Sequence, residues 1–305
     1  MGCAALIRAL AVMSPRTSPE EMPMMGLGVD QDDEPLKIDV SPNRPWKLSR
    51  KTIRIGLLGI IIVIILAIIA TAVAVLTTRR QSHKNVVNSD IPLRILPLGD
   101  SITWGAGSSD NNGYRAKLRS LLEMDQVTVS YIGSMKSGTM SNNDNEGHPG
   151  EYLSNMTAHA ARSTPKRPNV VLVKAGSNDM LQGLDPETAP GRLESLVDAI
   201  LTPCPDAVVI VAMLLPIGNI WFTDGHADTR VRAFNKAIPP LVKRFQDDGH
   251  KVLEADMYAA VPLGDLPDLI HPNDGGYEKM ARVWYTAIAE ASTRGWITPP
   301  AKVSS

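Results

Sequence analysis

Residues 91–305 predict an α/β protein, a flavodoxin-like three-layer sandwich built on a five-stranded parallel sheet, with one transmembrane helix ahead of it. Two observations predict the sandwich. Five short runs are rich in Val, Ile and Leu (Leu93 to Leu98, Val127 to Ile132, Asn169 to Ala175, Ala207 to Leu215 and Lys251 to Ala255), as strands covered on both faces are. Between them lie helical patterns, and repeated β-α units imply a parallel sheet with helices on both sides. A third observation, an uncharged apolar run upstream, predicts the membrane helix.

Residues 1–54 are rich in Pro, Ser, Met and charge, with no apolar period after Val12, and are expected to form a disordered cytosolic tail. Met1-Gly2-Cys3 starts like a myristoylation signal, but Leu6 stands where Ser or Thr is required. Residues 55–76 are 22 in number and carry no charge. At about 1.5 Å per residue a helix of that length crosses a hydrocarbon core of about 30 Å. Arg44, Lys47, Arg50, Lys51 and Arg54 precede it, against Arg79, Arg80 and Lys84 after it, which favours a cytosolic N-terminus and a lumenal or extracellular body. A single-pass membrane protein results, in which Cys3 and Cys204 are separated by the bilayer and Asn155-Met156-Thr157 is an available glycosylation acceptor. Residues 77–90 form a linker.

In the body, Leu193, Leu196, Val197, Ile200 and Leu201 mark one helix, and Val231, Phe234, Ile238, Leu241, Val242 and Phe245 another, which Pro239-Pro240 should kink or split. Tyr277, Met280, Ala281, Trp284, Ala287 and Ile288 mark the last. The net charge of −1 over 305 residues gives no reason to expect a nucleic-acid partner.

The chemistry centres on Ile95 to Gly107. An apolar run ends in Gly99-Asp100-Ser101, leaving the Ser101 hydroxyl at the carboxyl end of a strand, where open α/β sheets hold their ligands. A serine needs a base, and the base an orienting carboxylate. Of six histidines, two have Asp three residues earlier: His250 after Asp247, and His271 after Asp268. His250 precedes a strand and so lies at the amino edge. Asp268-Leu269-Ile270-His271 follows the last strand and shares the edge of Ser101. An ester oxyanion also needs donors. The N–H of Ser101, a backbone N–H from the loop Glu146-Gly147-His148-Pro149-Gly150, and the Asn178 amide beyond the strand ending at Ala175 are placed to supply them. Asp100, Trp104, His148 and Asp179 are candidate substrate contacts, although Asp179 could equally order its own loop and His148 line the pocket. Trp221 and Phe222 are expected to pack beside the cleft with Trp104. Asp144, His148, Asp224 and His226 lack ligand spacing, so no metal and no cofactor is expected.

Gly99-Asp100-Ser101, the loop glycine, Gly176-x-Asn178-Asp179 and Asp268-x-x-His271 resemble, in order and spacing, the four blocks of the SGNH (GDSL-type) hydrolases. The runs Leu96 to Thr103, Gly113-Tyr114-Arg115 and Glu146 to Gly150 are similar to carbohydrate esterase family three, the acetyl xylan esterase group. The resemblance covers most of residues 93–293. It implies a metal-free serine esterase in which Ser101 attacks, His271 is the base, Asp268 orients it, and Gly150 and Asn178 complete the oxyanion hole with Ser101; Gly147 is the rival for the glycine role. It also implies deacetylation of carbohydrate. The sequence departs where that group commonly has Trp after the glycine and this chain has Glu151-Tyr152. A lysophospholipase-like acyl hydrolase is the alternative enzyme, and a membrane-tethered glycan-binding module the alternative outside enzymes.

Overall fold

A computed structural model describes residues 49–81, 86–221 and 223–303. Contacts divide the chain into residues 1–67 and 68–305. Of the first unit, residues 49–67 are described, and all but Ser49 lie in α1 (Arg50–Gln81). The predicted tail up to residue 48 and linker residues 82–85 lie outside the described residues. Along α1, Leu57 to Ile69 is exposed at its large apolar side chains, for instance Ile61 at 50% and Val63 at 66%. Side chains are described without a break from 57 to 71, while 72–76 of the predicted span lie outside that set. Among the described residues no helix is long and apolar enough to cross a membrane.

The second unit is the predicted sandwich with a larger sheet. In order come β1 (Leu93–Gly99), α2 (Ser101–Trp104), α3 (Tyr114–Met124), β2 (Val129–Tyr131), β3 (Met135–Lys136) and β4 (Asp144–Gly147). Then follow α4 (Leu153–Ser163), β5 (Val170–Lys174), α5 (Ser177–Gln182), α6 (Ala189–Leu201), β6 (Val208–Ala212), α7 (Ala227–Asp247), β7 (Val252–Ala255), α8 (Met257–Ala260) and α9 (Asp274–Thr293). All five predicted strands form, and each is parallel to its neighbour in the spatial order β2-β1-β5-β6-β7. That is the flavodoxin-like order, which reverses between β1 and β5.

The sheet has seven strands, not five. Beyond the short β2, which pairs with Leu93 to Ile95, β4 continues the same edge of β1 by pairing with Leu98 and Gly99, and β3 runs antiparallel to it. Asp144-Asn145-Glu146-Gly147 has no strand-like composition; its backbone is recruited because β1 outlasts β2 and would otherwise end on an unpaired edge. The second difference concerns α7, which is not split and runs as one helix through Pro239 and Pro240. Six buried residues of its apolar face (Val231, Phe234, Ile238, Leu241, Val242 and Phe245) pack in the core and hold the helix across the two missing amide hydrogens.

One core cluster lies under α4, α6 and α7 and the other under α3 and α9, with alternate residues of the strands facing each. Val170 to Lys174 and Val208 to Ala212 are therefore buried along their whole length. Two packed layers leave only the strand ends open, and the polar turns gather at the carboxyl ends.

Candidate active site

Ser101 is the first residue of α2. Asp100 caps that helix, its Oδ1 accepting the Ile102 N–H at 3.0 Å, and the Ser101 N–H, in the first turn, has no intrahelical acceptor. At the end of β1, Gly99 lies so close to β5 that a Cβ on it would stand 2.0 Å from the Lys174 carbonyl oxygen. The Asp268 to His271 turn arrives from beyond β7 and meets Ser101 across the rim. Ser101 Oγ lies 2.8 Å from His271 Nε2, and His271 Nδ1 lies 2.6 Å from Asp268 Oδ2. Asp268 Oδ1 accepts the Ile270 and His271 amide hydrogens at 3.0 and 2.6 Å. Partial burial pushes the Asp268 carboxyl up, but these backbone bonds and the His271 ring outweigh it and hold the group below its ordinary value. An ionised Asp268 places the imidazole proton on Nδ1 and leaves the Nε2 lone pair for the Ser101 hydroxyl.

Hydrogen bonding distinguishes the two loop glycines. Gly147 N–H already donates to Asn145 Oδ1 at 2.9 Å, and a Cβ there would sit 2.4 Å from the Trp104 nitrogen. Gly147 is thus a packing glycine. Gly150 has φ +82°, a conformation glycine adopts without penalty, and nothing stands within 4 Å of its would-be Cβ. Among the described residues no hydrogen bond engages its N–H. Asn178 Nδ2 donates to the Glu151 carbonyl at 2.8 Å, which ties the two loops and leaves its second amide hydrogen available. The His148 N–H donates to the Gly99 carbonyl at 2.8 Å, and the Leu153 N–H to Asp179 Oδ2 at 3.0 Å, so the Gly150 loop is clamped at both ends.

Three of the four expected substrate contacts are scaffold instead. Asp100 is fully buried and pairs with Lys174, whose Nζ is 3.0 Å from Oδ2. Asp179 is fully buried too, paired with Arg192 at 3.0 Å; desolvation raises its pKa, and the Leu153 and Arg192 bonds only partly offset this. His148 is buried with its Nε2 2.7 Å from Glu146 Oε1 and its ring stacked on His159 at 3.5 Å. Only Trp104 is partly exposed at the rim. Trp221 is 92% exposed, and Phe222 lies outside the described residues.

Sequence reading missed several groups that hold this site. Lys174 is buried at the end of β5, where its ammonium also bonds the Ser177 hydroxyl, joining the turn of Ser101 to that of Asn178. Burial pushes its pKa down against the pull of Asp100. Arg115 is buried as well and gives its Nη atoms to the carbonyls of Trp104, Asn111, Ser137 and Asn143, all at 3.0 to 3.1 Å, fixing the loops around α2. A single buried cation inside an otherwise apolar strand was the available signal for Lys174.

Glu146, His148 and His159 bring possible ligand atoms within 4.8 Å of one another. They do not suit a metal. Glu146 is already filled by the Ser134 N–H and hydroxyl, the Ser163 hydroxyl and His148. The two imidazoles lie face to face, 13° from parallel, so their in-plane lone pairs do not converge. Of Asp144, His148, Asp224 and His226, only His148 belongs to this grouping.

The family model "GDSL-like Lipase/Acylhydrolase family" matches residues 98–279, which spans the turns of Ser101, Gly150, Asn178 and His271. The chain belongs to that family. This GDSL body is a carboxylic ester hydrolase domain, and its relatives agree. A multidomain esterase of Ruminococcus flavefaciens is 28% identical over 224 residues, covering 64% of this chain and 28% of its own length, so the chain spans little more than a quarter of that relative. A family 3 carbohydrate esterase structure from Clostridium thermocellum is 27% identical, with a TM-score of 0.56 over 67% of this chain and 98% of that one. A family 3 carbohydrate esterase from Talaromyces cellulolyticus shares the fold at 21% identity, with a TM-score of 0.53 over 66% of this chain and 99% of that one.

Proposed function

We propose that the protein is a membrane-anchored serine esterase that removes small acyl groups, acetyl foremost, from carbohydrate. The observation that carries the mechanism is the continuous relay from Ser101 Oγ to His271 Nε2 at 2.8 Å and from His271 Nδ1 to Asp268 at 2.6 Å. His271 takes the Ser101 proton as Oγ bonds the acyl carbon, and Asp268 stabilises the imidazolium. The N–H groups of Ser101 and Gly150 and the free hydrogen of Asn178 receive the oxyanion, each donor contributing about 10² to 10³ in rate. Collapse expels the alcohol, which takes the proton back from His271. Water then enters by the same route, releasing the acid and restoring Ser101. No cofactor or metal has a part in these steps.

Support for a sugar alcohol comes from the 27% identical family 3 carbohydrate esterase, which this chain matches over 98% of its length. Support for the anchor comes from 22 uncharged residues, 55–76, within α1, and from isoleucines and leucines exposed around it, a surface that suits lipid rather than water. The larger basic cluster before the helix supports an N-terminus in the cytosol and a body in the lumen or outside. There Asn155, exposed in the first turn of α4, is open to glycosylation.

The test uses the full-length protein. Ser101→Ala should abolish p-nitrophenyl acetate hydrolysis with the fold intact, and an unchanged rate would overturn the mechanism. Rates on acetylated xylo-oligosaccharides should exceed those on lysophospholipids and long-chain esters. The reverse order would replace the carbohydrate reading with a lipid one.

A further inference from the structure

Beyond the groups that touch the ester, we infer that Gly218, on the loop after β6, is a positioning residue for His271, acting through Leu269. The inference rests on the assignment of His271 as base.

Leu269 sits inside the Asp268 to His271 turn with φ +68°, in the left-handed region that costs a side chain like leucine and persists only where the surroundings fix it. Its neighbours show what does so. The Leu269 N–H donates to the Leu266 carbonyl at 2.8 Å, and the Leu269 carbonyl accepts the Gly218 N–H at 2.9 Å. Gly218 packs so closely that a Cβ there would stand 2.7 Å from Leu269 Cβ, 2.9 Å from Cδ2 and 3.0 Å from Cγ. From the other side Gly107 approaches in the same way, its would-be Cβ 2.7 Å from the Pro272 carbonyl and 2.9 Å from His271 Cβ. The base-bearing turn is therefore gripped between two loops, one following Ser101 and one following β6, each through a glycine. Asp268 is half exposed, so the turn gains little rigidity from burial of its own carboxylate. The grip supplies it.

The chemistry makes such a grip matter. The 2.8 Å contact of Nε2 with Ser101 and the 2.6 Å contact of Nδ1 with Asp268 are both made by one ring, whose position follows the backbone of a four-residue turn. A displacement of about 1 Å in a reacting group can cost about 10² in rate. A methyl on Gly218 has nowhere to go except into Leu269, whose atoms it meets are mostly side chain. Removing that side chain should relieve both the overlap and the left-handed strain.

The experiment compares Gly218→Ala, Leu269→Gly and the double variant in the full-length protein. Two readouts are taken: steady-state p-nitrophenyl acetate hydrolysis, and the low-field proton resonance of the His271 Nδ1–H···Asp268 bond, identified by its loss in His271→Ala. Gly218→Ala should lower kcat about 10²-fold, leave KM within about twofold, and shift or broaden the resonance. Leu269→Gly loosens the grip and should itself lower kcat, but the double variant should be no slower than Leu269→Gly and should match it in both readouts, because the overlap that Gly218→Ala creates is gone. The inference is overturned if Gly218→Ala keeps wild-type kcat and resonance, if the double variant is slower than Leu269→Gly, or if both single variants fail to fold. The resonance needs no turnover, so an absence of esterase activity in the wild type would refute the functional reading and leave this test standing.

Discussion

Replacing Asp268 with Asn tests the relay more sharply than deleting it, because the structure dictates which way the amide must point. Asp268 Oδ1 accepts two backbone hydrogens, from Ile270 at 3.0 Å and His271 at 2.6 Å, while Oδ2 faces His271 Nδ1 at 2.6 Å. An amide has one oxygen. Turned toward Nδ1, that oxygen would leave an NH₂ pressed against two N–H donors and strand both. Turned toward the backbone it satisfies both, so this orientation wins, and the NH₂ then faces Nδ1. His271 must answer by accepting there, which moves its own proton to Nε2 and points a donor at the Ser101 hydroxyl. The base is lost while the shape is kept. In an established triad of the same geometry this tautomer exchange costs about 10⁴ in kcat, or about 5 kcal/mol at 1.36 kcal/mol per tenfold. Since the effect is one of tautomer and not of Coulomb attraction, the half-exposure of Asp268 does not screen it away. With p-nitrophenyl acetate and the full-length protein, Asp268→Asn should show that loss in kcat, a small change in KM and an unchanged thermal midpoint. A variant within about tenfold of wild type would show that Asp268 does not set the tautomer of His271.

Two further predictions concern the scaffold. Lys174→Met should destabilise the body by about 3 to 5 kcal/mol in urea unfolding, because it leaves the fully buried Asp100 without its cation; a loss below about 1 kcal/mol would mean the pair is not holding the turn. His159 has a pKa below the ordinary imidazole value, first through burial and then through the neighbouring His148. The unfolded chain therefore binds the proton first as pH falls, and stability contributed by neutral His159 should start to drop near pH ~6.5 and stop dropping below its lowered folded value. His159→Phe keeps a ring against His148 and removes the titration, so its thermal midpoint should decline less than that of wild type between pH 7 and 5. Equal slopes would show that His159 carries none of the acid sensitivity.

The parallel order and the relay were legible because both are written in local patterns. A strand covered on two faces must be apolar over five or so residues, and β1, β5 and β6 are. An Asp three residues before a His can close on it within one turn, and only the pair after the last strand shares the edge of Ser101. β4 was not legible, since Asp144-Asn145-Glu146-Gly147 becomes a strand only by completing an edge that β2 leaves short. Nor was the continuity of α7 through two prolines, which depends on the sheet beneath it.

The misassigned carboxylates show where such reading fails. Asp100 and Asp179 stand beside the reactive serine and the amide, and nothing in their spacing separates an acid aimed at a ligand from one that binds the protein to itself. What separates them is the partner: Lys174 lies 74 residues from Asp100, and Arg192 lies 13 from Asp179. Both acids have no exposed surface, so neither can meet a substrate, and each instead fixes the loop that presents a neighbour. Asp100 caps the helix that begins with Ser101, and Asp179 receives the amide that ends the Gly150 loop. The exposed carboxylate of the three, Asp268, is the one in the relay. Around this site, burial marks the acids that hold it and exposure the one that faces its chemistry.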